Sequence, residues 1–421
     1  MPKVTTHPSV HRPTVGGEPP VTKIEPKRTG SAARKAPAEK APAQPAVPHL
    51  RDFAESHTRS GLKPQQGALV EGKPGRGVLS RVDTLTFAKV PIDKNGRIAP
   101  VVFDLPKDAI SFTVVVRGKE NASWLIDRVK GPDGKAIVDG GKNMSTIVDH
   151  ALDSPNRSAI GLCPGVAVLL APDNPSIKVK PGQWQIGACS GDDQGKPATG
   201  TADVQILIKR ATRQPKRGRI DLNFYLTGTH RWTAKNVAGN KDFRALLART
   251  KALLKGAGIE VGAVRFADAP GATRTIDLDS HGKHSAGALF KTTDKPGLNV
   301  FFVDAVTLAG IGGRGPVGFG GGIPGAPVPG TPASGIALSI DGNPDLPGNW
   351  GTCLAHEIGH YLGLSHTVES DGSMQDQLPD TDPRPYAAGN LMYPVQEGSA
   401  VTFSRQQADV MLRHPMVDII E

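Results

Sequence analysis

The chain holds only three cysteines in 421 residues, Cys163, Cys189 and Cys353. Three cannot build a disulfide framework, although a single Cys163–Cys189 pair stays open. No apolar run approaches the ~18 residues that a membrane-spanning helix needs, so no membrane span is expected. The opening Met-Pro-Lys-Val-Thr-Thr-His-Pro has no apolar stretch of the kind a secretory signal peptide carries. Charge of one sign is scarce over most of the length. The formal net charge is +10, yet residues 1–76 contain 13 Lys/Arg against 6 Asp/Glu, or +7, which leaves +3 for the other 345 residues. That distribution argues against a specific nucleic-acid surface, since the excess sits in one Pro/Ala-rich segment almost without aromatics. Residues 1–76 therefore read as a disordered basic arm.

What the chain does have is a dense cluster of histidines. His356 to His366 reads H-E-I-G-H-Y-L-G-L-S-H, which is HExxHxxGxxH. On a helix, His356 and His360 project from one face at a spacing that grips one ion. Glu357 stands beside the first ligand as a candidate general base. Gly363 falls where the chain must leave the helix abruptly, which a residue without Cβ does at little steric cost. The turn then delivers His366 as a third ligand and leaves the fourth position of a tetrahedral zinc to water. Given the chain's composition, five fixed positions should coincide in roughly one chain in 10⁴, so a chance match is set aside.

Downstream, Asn390-Leu391-Met392-Tyr393-Pro394 has the form of a methionine turn. With this turn and the histidine motif, the region from Arg219 to Glu421 resembles the metzincin clan of zinc endopeptidases. Leu-Met-Tyr-Pro is similar to the matrixin version. Thr367 after the last histidine, and Leu378-Pro379-Asp380-Thr381-Asp382-Pro383, are similar to pappalysins, without the cysteines that group carries there. The resemblance implies one catalytic zinc on His356, His360 and His366, with Glu357 as general base. It also implies Met392 as a structural floor under the rings and Pro394 as a wall of the substrate pocket. Astacins and serralysins have a tyrosine two residues after the methionine; Pro394 stands there, so no tyrosine ligand is expected, and Gln396 replaces a further matrixin tyrosine. A protein or peptide substrate, a monomeric state and a secreted location follow from the same resemblance. The lack of a signal-like N-terminus keeps a cytoplasmic alternative open.

The expected fold is α+β. A metzincin-like catalytic domain over 218–421, with a mixed sheet, a zinc helix and a C-terminal helix, follows an all-β sandwich of jelly-roll type over 77–212. Short β-rich runs separated by Lys94-Asn95-Gly96, Gly131-Pro132-Asp133-Gly134 and Lys180-Pro181-Gly182 carry the sandwich reading. Lys209 to Arg219 reads as a basic connector. Phe243, Leu246, Leu247, Thr250, Leu253 and Leu254 mark an amphipathic helix ended by Gly256. Gly310 to Gly335 is so rich in Gly and Pro that it reads as loop, and Gly335–Ile340 as the edge strand beside the cleft, open to a substrate by strand addition. The acidic loop with Asp371, Asp376, Asp380 and Asp382 offers oxygens for a possible Ca²⁺, though a solvated loop fits the spacing better. Ser404 and Gln407 form a capping box that opens a last helix over Arg405–Arg413. The alternative function is a non-catalytic binding or adhesion protein stapled by zinc. An intact Glu357 argues against it, because a staple needs no base.

Overall fold

The computed structural model describes residues 62–140, 153–157, 162–192, 196–269, 271–280, 282–307, 318–340, 349–369, 375–382, 389–394 and 401–421. The N-terminal arm up to residue 61, Asp371, Gln396 and parts of the Gly/Pro-rich segment lie outside these.

The first half is all strand: β1 (Ala68–Val70), β2 (Ser80–Ile92), β3 (Val101–Leu105), β4 (Ala109–Arg117), β5 (Ser123–Lys130), β6 (Ala136–Asp139), β7 (Val166–Ala171), β8 (Gly182–Gly191) and β9 (Gly200–Ala211). They pair antiparallel into a five-stranded sheet, β1-β2-β9-β4-β7, and a four-stranded sheet, β3-β8-β5-β6. Residues from both enclose one apolar cluster, including Phe103, Phe112, Trp124, Ile126, Trp184 and Ile206. The expected arm boundary at residue 76 is too late: Ala68–Val70 already pairs with Thr84–Thr86. A short apolar run is enough to add an edge strand to a preformed sheet.

The five-stranded sheet is covered on both faces, and the period-2 alternation of strand side chains shows it. Val114 and Val116 face the cluster shared with the four-stranded sheet, whereas Val115 between them faces away. Ala167 and Leu169 alternate with Val166 and Val168 in the same manner. The outward set packs against Tyr225, Phe301, Val303 and Ala337 from the second half of the chain. Double coverage explains why Val166–Ala171 is apolar throughout instead of alternating with polar residues.

The second half contains β10 (Gly218–Leu226), α1 (Lys241–Gly256), β11 (Ile259–Asp268), β12 (Thr275–Asp277), α2 (Ala286–Phe290), β13 (Leu298–Val303), β14 (Ala305–Thr307), β15 (Gly318–Gly320), β16 (Gly335–Ser339), α3 (Trp350–Tyr361), α4 (Arg405–Met411) and β17 (Asp418–Ile419). The main sheet runs β11-β10-β13-β16-β15, parallel except for β15, with β17 antiparallel on β10. Helix α1 begins where Asn240 accepts the backbone N–H groups of Asp242 and Phe243. It buries Phe243, Leu246, Leu253 and Leu254 against the sheet and α3.

Two expectations change here. Gly335–Ser339 is not the edge strand, because β16 lies between β13 and β15. The supposed all-loop stretch contains the outermost strand of this sheet among the described residues, Gly318–Gly320, whose glycines conceal its strand character from composition. Lys209 is likewise no connector residue. It lies near the end of β9, fully enclosed, with Nζ donating to the carbonyls of Leu412, His414 and Val417. Burial pushes this ammonium down to about 7, with Asp418 drawing it back up. Ser111 Oγ also donates to Arg413 O at 2.6 Å, and Leu79 N to Ile419 O at 2.7 Å. The C-terminal tail is thus stitched to the first half by backbone-directed hydrogen bonds. Cys163 and Cys189 are both buried free thiols, so no disulfide forms between them. Among the described residues, no helix is long and apolar enough to cross a membrane.

Candidate metal centre

Helix α3 carries His356, Glu357 and His360 in its last two turns. Its apolar face, with Leu354, Ala355 and Ile358, is fully buried in the core. Such a helix cannot rotate without exposing that face, so the direction of the two rings is set by packing. The helix ends at Leu362, and Gly363 takes φ +107°, which reverses the chain as the sequence requires. A Cβ at Gly363 would also meet Leu170 Cδ2 at 3.0 Å. Gly363 N donates to His360 O and Leu364 N to Gly359 O, which closes the helix end and brings His366 back toward His360.

The three rings converge. Ring centroids lie 4.5 Å apart for His356 and His360, 4.7 Å for His360 and His366, and 5.3 Å for His356 and His366. One potential ligand atom from each lies within 4.8 Å of the others, and among the described residues no other such group of three occurs. Hydrogen bonding sets which nitrogen that is. His356 Nδ1 is 2.7 Å from Leu391 O and His360 Nδ1 is 2.7 Å from Leu364 O. A carbonyl oxygen only accepts, so each Nδ1 carries the proton and each Nε2 keeps its lone pair. His366 Nδ1 meets the Glu369 carboxylate at 3.2 and 3.3 Å. Its Nε2 is 3.2 Å from His360 Nε2.

Burial, reinforced by the neighbouring His366, lowers His356 to about 4, and burial drives His360 well below its ordinary value. Both are therefore neutral near pH 7, the state a ligand must have. The donor set fits a divalent cation of the zinc type: three imidazoles, each with its second nitrogen engaged.

Glu357 is buried beside the rings and against β15. A Cβ on Gly318 would lie 2.5 Å from Glu357 Cγ, so only glycine leaves room for this carboxylate. Burial raises it to about 8, opposed by the N–H of Gly320, which donates to it. A cation at the rings would draw that value down again.

Met392 is fully buried beneath the helix. A Cβ on Gly359 would meet its Sδ at 2.5 Å, so this glycine, at an otherwise unspecified position of the motif, lets the methionine approach the helix backbone. The turn is fixed on several sides. Leu391 N donates to Thr402 O, Asn390 Oδ1 accepts Met392 N and Gln407 Nε2, and Thr367 N donates to Met392 O. Leu391 O in turn orients His356. Pro394 closes the turn half-buried.

Two acidic residues of the following loop have separate partners. Asp380 accepts Ser404 Oγ and Gln406 N at the start of α4, while Asp376 accepts Leu378 N and Thr381 Oγ1. The capping box of Ser404 and Gln407 is present as expected. Three contributors escaped the sequence reading: Glu369, the carbonyl of Leu391 and the strand Gly318–Gly320. Only Glu369, an acid three residues past a ligand, left a visible signal.

No protein-family model matches the chain, and no curated protein matches it. Among solved structures it is similar to metalloproteinase-II from Bacteroides fragilis, at 14% identity and TM-score 0.30, over 50% of this chain and 62% of that one. A family two carbohydrate esterase from Clostridium thermocellum aligns at 8% identity and TM-score 0.15, over 56% of this chain and 66% of that one. The chain thus spans less than two thirds of either protein. Likeness of this extent carries no argument about activity, which rests on the site itself.

Proposed function

We propose that this protein is a zinc-dependent endopeptidase of the metzincin type, a β-sandwich over residues 68–212 supporting a catalytic region over 218–421. The observation that carries this reading is the joint placement of His356, His360 and His366 with the buried carboxyl of Glu357 at the foot of edge strand β15. A metal staple would need the rings alone.

His356, His360 and His366 would hold the ion through Nε2. Zinc there would supply Lewis acidity, polarising a scissile carbonyl and acidifying a water molecule. Glu357 accepts the proton from the attacking water and returns it to the leaving amine. Its burial raises its basicity, and the Gly320 N–H steadies the charged form. An extended substrate pairs along β15, whose other edge carries no strand among the described residues. Met392 supports the rings from below, and Pro394 lines the primed-side pocket. The enzyme acts on proteins or peptides as a secreted monomer.

The test is hydrolysis of a diverse peptide library by the purified chain, with and without a zinc chelator. Cleavage that stops with chelator and returns with zinc supports the reading. A chain that binds zinc stoichiometrically yet cleaves nothing would instead favour the stapled binding protein.

A further inference from the structure

We infer that Glu369 is a positioning residue for His366, holding that ring in the tautomer and orientation in which Nε2 faces the other two; this rests on the zinc reading above. His356 and His360 stand on a packed helix, and main-chain carbonyls at 2.7 Å orient both. His366 has neither advantage. It arrives on a turn beyond the helix, its side chain is 25% exposed, and a side-chain carboxylate takes the place of the carbonyl. Both carboxylate oxygens lie near Nδ1, so the acceptor is retained if the ring rocks between them. A carboxylate partner also adds negative charge behind the ligand and raises its basicity, which a carbonyl does less.

The segment bearing Glu369 is itself fixed. Thr367 N donates to Met392 O, Asp376 N donates to Thr367 O, and Val368 bridges Gln375. Gln377 reaches the first half of the chain, donating to Ser154 O at 2.8 Å and accepting from Asn174 Nδ2 at 3.2 Å. From that side the largely buried Arg157 guanidinium acts on Asp173, Asp376 and Glu369. The ring's support therefore runs from loops of the first half of the chain through Glu369 to the metal site.

The experiment is zinc affinity of the full chain, by competition with a chromogenic chelator, for wild type, Glu369→Ala, Glu369→Met and Glu369→Gln. Thermal unfolding of each apo-protein is recorded in parallel. Loss of the acceptor should weaken zinc binding roughly 10–100-fold in the Ala and Met variants. Glu369→Gln should recover most of it, because its amide oxygen still accepts Nδ1–H. Apo stability should change little, and the Met variant keeps the side-chain bulk if Ala disturbs the loop. Wild-type affinity in both Ala and Met variants, or Gln no better than Ala, would overturn the inference while leaving the zinc reading intact. Failure of wild type itself to bind zinc would overturn both.

Discussion

Lys209→Met is the perturbation whose effect can be worked furthest from the structure. The wild-type Nζ has three carbonyl acceptors, from Leu412, His414 and Val417, inside a fully buried pocket between β9 and the C-terminal tail. Methionine fills the stem's volume but donates nothing, leaving buried carbonyls unsatisfied at about 1–3 kcal/mol each. Removing a buried charge offsets part of that, so a net loss of roughly 2–4 kcal/mol near pH 7 is expected. The pH dependence is more diagnostic. Burial depresses the folded-state pKa to about 7, below the ordinary lysine value of 10.5. Between those values the unfolded chain binds more protons than the native one, so wild-type stability rises with pH across the window. The ceiling for one group is about 1.4 kcal/mol per pH unit. The three carbonyls favour the charged form and reduce this, so a gain of about 1–2 kcal/mol from pH 7 to 9 is expected. Urea unfolding of both proteins at pH 7, 8 and 9 measures it, with the other groups titrating in this range cancelling in the difference. The gap between wild type and Lys209→Met should widen steadily with pH. A gap that stays constant would mean that Lys209 keeps its ordinary pKa, and the reasoning from burial would fail.

Two other predictions concern glycines around the site. Gly363→Ala forces a side chain into φ +107° and toward Leu170, which should cost about 1–3 kcal/mol in chemical denaturation and weaken zinc binding by displacing His366. Gly318→Ala places a Cβ where Glu357 Cγ stands, so kcat/KM should fall roughly 10–100-fold through misplacement of the base while one zinc per chain stays bound.

How much of this was readable beforehand depends on what kind of signal each element leaves. Leu298–Val303 is buried along its whole length and apolar except at Asn299, whose amide donates to Thr293 Oγ1 and Ser334 O, so its composition alone marks it as an interior strand. Helix α1 and its stop at Gly256 follow from helical periodicity and the cap. The three histidines, Gly363 and Met392 are legible because metal geometry restricts both residue type and spacing. Strand β15 was hidden because Gly318-Phe319-Gly320 is selected for space beside Glu357, not for β propensity. Lys209 was misread for a related reason: charge in sequence suggests solvent, and only the fold brings three carbonyls to its ammonium. The reach of Asn174 and Ser154 to Gln377 spans over 200 positions, and no local pattern announces such a contact.

The central claim is that Glu357 does chemistry at a zinc held by the three histidines. Its most direct test is peptide hydrolysis by zinc-loaded Glu357→Gln beside wild type, with zinc content measured on the same samples. The account predicts about one zinc per chain in both proteins and a rate lower by roughly 10²–10⁴ in the variant, the usual contribution of a general base. A variant that keeps its zinc and hydrolyses peptides at the wild-type rate would contradict it.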